Sequence, residues 1–148
     1  MAFIDAIAYG TIYPSRIVSM YPSTGNTASF EVIEDIVAEQ NCIGISQEGT
    51  TGFPMNATND MGVTAPTAAA DAGQNIKVFG VGEQCLLELG GTVNAGDCIK
   101  ANATTNGKGI QAPLGTSGNQ NIVGIALQYG VSGEKIRVLV QPGVIYHA

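Results

Sequence analysis

The stretch from Gly82 to Ala112, GEQCLLELGGTVNAGDCIKANATTNGKGIQA, restricts the possible folds of this chain more than any other. Cys85, Leu87 and Leu89 alternate with Gln84, Leu86 and Glu88, a period of two that sends one row of side chains to a core and the next to solvent. Gly90-Gly91 interrupts the run, Asn94-Ala95-Gly96-Asp97 supplies turn residues, and Cys98 to Ala101 returns as a strand. Asn106-Gly107 is a hairpin marker, because both central residues of a type I′ turn need positive φ. The stretch is a β-meander, which is a scaffold and carries no chemistry of its own.

The rest of the chain extends the β pattern. Phe3, Ile4, Ile7 and Tyr9 are the apolar residues of an N-terminal arm over residues 1–15, with Pro14 placing that segment at a sheet edge or outside it. The core of a small β-barrel or β-sandwich is expected over 16–140, starting with a strand at Arg16 to Met20. Phe30, Ile33, Ile36 and Val37 recur at spacings of three and four, which predicts one short helix over about 29–40; the β-branched content of the same segment favours a strand instead. Further strands are expected near 41–46, 75–79, 122–128 and 135–140. Pro54 to Asn75 shows no clean period and is long enough to suggest a contact with a partner. The tail over 141–148 carries Val144, Ile145 and Tyr146 and, like the arm, is expected to be buried by something else. One internal echo is visible: residues 41–52 align with 121–133 around Asn-x-x-Gly-Ile, so the two strands could hold comparable places in a barrel.

Composition narrows the function classes. At 148 residues the chain is most simply one domain. Its net charge of −6 and scattered Lys and Arg argue against nucleic acid as a partner. No apolar segment approaches the length of a membrane span, and the N-terminus lacks the pattern of a secretory signal, so synthesis in a cytosol is expected. Only 12% of residues are charged, about half the usual share near 25%, so either part of the surface is expected to be covered by another protein or the chain is simply a polar β-protein.

The tests for catalysis are negative. Cys42, Cys85 and Cys98 lack zinc or redox spacing and are expected to be buried thiols, with a Cys85–Cys98 bridge as the alternative. His147, the single histidine, lies beside the end of the chain and offers no base for a nucleophile. Gly80-Val81-Gly82 lacks the third glycine and the following helix of a dinucleotide loop. The aspartates are too isolated to build a calcium loop. No catalytic residue, metal site or cofactor is expected.

The segments GGTVNAGDCIKA (90–101) and NIVGIALQYGVSGEKIRVLV (121–140), with the GISQEGT strand at 44–50, resemble the head decoration (cement) proteins of tailed bacteriophages. The resemblance implies a small β-barrel or sandwich on the outer surface of a virion. Such a protein binds the major capsid protein, often as a homotrimer, with a dimer as the other possibility, and staples neighbouring coat subunits. Phe3, Ile4, Ile7, Tyr9, Val144, Ile145 and Tyr146 are the expected contacts, chosen for apolarity alone. Two other readings stay open. TVNAGDCIKA with KGIQAPLG also looks like a biotinyl or lipoyl carrier fold, with Lys100 or Lys108 as the modified residue, and a carbohydrate-binding or adhesin-like β-module would want exposed aromatic rings.

Overall fold

The computed structural model describes residues 3–21, 31–34, 42–48, 68–102, 107–112 and 118–147. All of its regular elements are strands, and no helix occurs among the described residues. The first five are β1 (Phe3–Ala8), β2 (Ile17–Met20), β3 (Glu31–Glu34), β4 (Cys42–Ser46) and β5 (Asn75–Phe79); they close into a barrel in the order β1-β3-β2-β4-β5. The second five are β6 (Gln84–Glu88), β7 (Cys98–Ala101), β8 (Gly109–Gln111), β9 (Gly118–Ala126) and β10 (Lys135–His147), in the order β6-β10-β9-β7-β8. This second sheet curls until its edge strands meet at a parallel bridge between Leu89 and Gly109, where the amide of Gly90 donates to the Gly109 carbonyl at 2.8 Å.

The strand connectivity of the first barrel recurs in the second sheet. In the first, β1 pairs antiparallel with β5 and parallel with β3, while β2 pairs antiparallel with β3 and β4. In the second, β6 pairs antiparallel with β10 and meets β8 in parallel, while β7 pairs antiparallel with β8 and β9. Turn hydrogen bonds repeat as well. Gly73 N donates to Ala8 O at 2.7 Å and Gly133 N to Leu89 O at 2.9 Å; Tyr21 N donates to Glu31 O at 2.9 Å and Asn102 N to Lys108 O at 2.8 Å. Once these pairs are aligned the sequences agree, with Gly10-Thr11-Ile12 against Gly91-Thr92-Val93 and Ile76-Lys77-Val78-Phe79 against Ile136-Arg137-Val138-Leu139. The described part of the echo between 41–52 and 121–133 falls on β4 and β9, which hold corresponding places. Gly44 and Gly124 are needed there for one reason: a methyl group at either would collide with the carbonyl oxygen of Phe79 or Leu139 on the next strand.

A ring of only five strands has a narrow lumen, which suits small side chains. The first barrel is filled by Ala6, Ala8, Ala69 and Ala70 beside Ile12, Val18, Val32, Ile76 and Val78, all buried. The Ala68 to Ala70 patch is thus core, paired to Ile12 through an isolated bridge. A second core fills the other sheet with Leu87, Leu89, Ile99, Ile136 and Val138 and takes in Ile17, Ile45 and Phe79 from the outer side of the first barrel. Residues of both sheets therefore share one apolar core.

Three expectations are corrected. The segment with helical spacing is strand where it is described: Glu31 to Glu34 lies between β1 and β2, with Val32 and Glu34 inward, and the rest of 29–40 lies outside the described residues. The N-terminal arm is a stave of the first barrel, since Phe3 to Ile7 pair with Phe79 to Asn75. The tail continues β10, with Gly143 to His147 paired to Ile122 to Gly118 beyond a register shift at Val140 and Gly143.

Candidate interaction surfaces

The expected contact residues fall on two separate places. Side chains alternate along β1, so Ala6 and Ala8 point into the lumen and Ile4 packs against it, while Phe3, Ile7 and Tyr9 line the outside. Phe3 is 39% and Tyr9 50% exposed, and Ile7 is half-buried. Ile7 lies opposite Glu31 on β3. Tyr9 stacks on Tyr21 with ring centroids 3.5 Å apart. The Phe3 ring lies 5.1 Å from Phe79 and beneath the Lys77 ammonium. The outer face of β1 and β3 is therefore an aromatic and aliphatic surface whose carboxylates are Asp5 and Glu31.

The tail residues lie elsewhere, on the ribbon made by β9 and β10. Val144 is 55% exposed and Ile145 half-buried, and the Tyr146 backbone pairs with Asn119, its side chain lying outside the described residues. Pro142, Gly143, Val144 and Cys42 line a notch of about 210 Å³ at the register shift. Cys42 is buried and its thiol donates to the Ile122 carbonyl at 3.2 Å.

A third surface was missed by sequence reasoning. On the outer side of the second sheet, Ile125 is the cross-strand neighbour of both Leu139 and Cys98, which makes a half-buried apolar row across β10, β9 and β7. Arg137 lies on one side of the row and Lys100 on the other. The signal was present as alternation in Lys-Ile-Arg-Val-Leu, but the sequence does not say which of the two faces a partner would leave uncovered.

The junction of the two sheets is polar at its rim. Arg16 sits 2.7 Å from Glu88 of β6 and 3.9 Å from Glu34 of β3, and Lys108 reaches Glu88 at 3.7 Å. Glu34 also accepts from the Tyr13 amide at 2.6 Å. Burial pushes its carboxyl above the ordinary range, against the lowering effect of that hydrogen bond and of Arg16. Nearby, Glu88 N donates to Ser15 O at 2.9 Å and Ile17 N to Gly107 O at 2.7 Å. These bonds tie β6 and the turn before β8 to the first barrel.

The remaining candidates are placed as follows. All three cysteines are free thiols, and Cys85 does not bridge Cys98, because β6 and β7 are not neighbours in the sheet and Cys85 faces the core while Cys98 faces out. Burial pushes the Cys85 thiol up to about 12. Lys100 lies within β7 and Lys108 is paired with Glu88, so neither is the free tip lysine of a carrier domain. Among the described residues no three His, Cys, Asp or Glu side chains gather into a metal-binding group.

The geometry defines a class of protein, a closed five-stranded β-barrel joined to a five-stranded sheet of matching strand connectivity. No protein-family model and no curated protein matches the sequence. Among solved structures the chain is similar in fold to the N base of the head fiber gp8.5 of bacteriophage phi29, at 13% identity, over 99% of this chain and 98% of that chain, with a TM-score of 0.54.

Proposed function

We propose that the chain is a non-catalytic structural protein of a phage virion that binds the outer surface of the head. The observation that carries this reading is the fold shared end to end with a head fiber base. The resemblance of residues 90–101 and 121–140 to head decoration proteins supports the finer statement that it contacts the major capsid protein and stabilises neighbouring coat subunits as a homotrimer. A net charge of −6 suits the outside of a shell better than its DNA-facing side. Repeated sites on one lattice let modest contacts add up through avidity.

The test uses heads from a phage deleted for this gene, mixed with the purified protein. The reading predicts that the protein pellets with the heads and raises the temperature at which they release DNA. Protein that stays in the supernatant at saturating concentration contradicts it.

A further inference from the structure

We infer that Tyr9 and Tyr21 form a site of oxidative cross-linking, where hydrogen peroxide activated by a haem peroxidase joins the two rings through a carbon–carbon bond and ties β1 to β2.

The backbone brings the two residues together. Tyr9 directly follows β1 and Tyr21 directly follows β2, and β3 lies between those strands. Both are anchored on β3, since Tyr9 N donates to Val32 O at 3.0 Å and Tyr21 N to Glu31 O at 2.9 Å. Their rings meet with centroids 3.5 Å apart and planes 12° from parallel. Aromatic pairs ordinarily offset their rings or set them edge to face, with centroids farther apart than this. Here the faces overlap almost fully. The Tyr21 phenol is held above its usual range, first by a hydrogen bond with the Tyr9 side chain and then by burial and the charges of Tyr9 and Glu31. That hydrogen bond sets the two hydroxyl ends side by side, so the ring carbons next to each hydroxyl, Cε1 and Cε2, lie against those of the other ring. Tyr9 is 50% exposed, which gives an oxidant access to the pair. Among the described residues no other two tyrosine rings are in contact.

The chemistry follows from that geometry. Each phenol gives up one electron to the activated peroxide and its proton to water, leaving a phenoxyl radical whose unpaired electron is spread onto Cε1 and Cε2. Two such radicals held face to face need no diffusional encounter. One Cε of each ring forms the new bond, and the hydrogen displaced from each returns to the hydroxyl oxygen as the rings regain aromaticity. The pair loses two hydrogen atoms in all, and one hydrogen peroxide is reduced to two waters.

The bond would reinforce the weakest seam of the first barrel. β1 pairs with β5 through five residues, from Phe3 to Ile7, but with β3 only through Ile7 and Ala8, in parallel. A bond from Tyr9 to Tyr21 spans that seam and keeps the N-terminal strand in the ring.

The test treats dilute purified protein with hydrogen peroxide and a haem peroxidase. The wild-type chain should lose the mass of two hydrogen atoms, run as a single chain on a denaturing gel, gain the blue emission of dityrosine, and give a proteolytic fragment in which Tyr9 is joined to Tyr21. Treated wild type should unfold at a temperature higher by roughly 5–10 °C, because a cross-link closing a short loop constrains the unfolded chain. Tyr9→Phe and Tyr21→Phe, each shown to be folded by far-UV circular dichroism, should form no such product and show no such rise. An untreated mass after oxidation of the wild type, a bond that maps to other tyrosines, or an intrachain product that survives either substitution would overturn the inference. A Tyr9–Tyr21 bond that leaves the unfolding temperature unchanged would overturn its role at the seam.

Discussion

At the scale of single residues, the duplication makes predictions that come in pairs. Gly44 and Gly124 each press against a carbonyl of the neighbouring strand, which is backbone and has little room to yield. Gly44→Ala and Gly124→Ala should each lower stability by about 1–3 kcal/mol in urea unfolding, the usual cost of overpacking. Gly10→Ala, where a methyl group meets open space, should be close to neutral. Equal stability of all three variants would show that the two strands do not approach as described. Glu34 gives a pH dependence. Burial raises its folded pKa above the unfolded one, so its favourable contribution is complete below the ordinary carboxyl value of 4.5 and is lost as pH rises through the higher folded value. Stability should therefore gain from this group as pH falls from neutrality towards 4.5. Glu34→Gln can still accept from the Tyr13 amide, and it should stabilise the protein at pH 7 and remove that part of the pH profile, measured by thermal unfolding across the range. A less stable Glu34→Gln at pH 7 would mean that the Arg16 pairing outweighs the cost of burial.

At the scale of elements, β1 carries the sharpest test. It is one of five staves of a closed ring, and its removal would leave one edge each of β3 and β5 without a partner and strip Ala6 and Ala8 from the lumen. Deleting residues 2–8 should abolish hydrogen-exchange protection in β2, β4 and β5, whereas loss of a mere arm would leave it unchanged. The sequence made the local part of this architecture legible. Alternation at Cys85 to Leu89, the turn at Asn94 to Asp97 and the strands at 122–128 and 135–140 reflect nearest-neighbour geometry, which a period of two and turn chemistry report directly. The closure was not legible, since pairing β1 with β3 and β5 joins residues far apart in sequence and leaves no local mark. Hence Phe3 to Ala8 reads as an arm or an edge strand. Glu31 to Glu34 reads as helix for a similar reason: the spacing of Phe30, Ile33 and Ile36 favours one, but strands on both sides supply the hydrogen bonds and turn Val32 and Glu34 inward. Of the expected contact residues, Phe3, Tyr9 and Val144 are exposed, while Ile4 belongs to the edge of the core.

At the scale of the whole molecule, a closed five-stranded barrel and a five-stranded sheet of matching strand connectivity share a core. Only the echo at Asn-x-x-Gly-Ile was visible in the sequence, because the first half carries a longer connection between β4 and β5 than the second does between β9 and β10, and that difference breaks the alignment. A molecule built this way suits a repetitive surface, where copies can contact each other and a lattice at once. The most direct test of the account is a cryo-electron density map of the phage head that carries this chain. The expected result is a closed five-stranded barrel adjoining a second five-stranded sheet for each copy on the outside of the shell, in contact with the major capsid protein. A head whose outer surface lacks that density while the chain is present in the sample would contradict it.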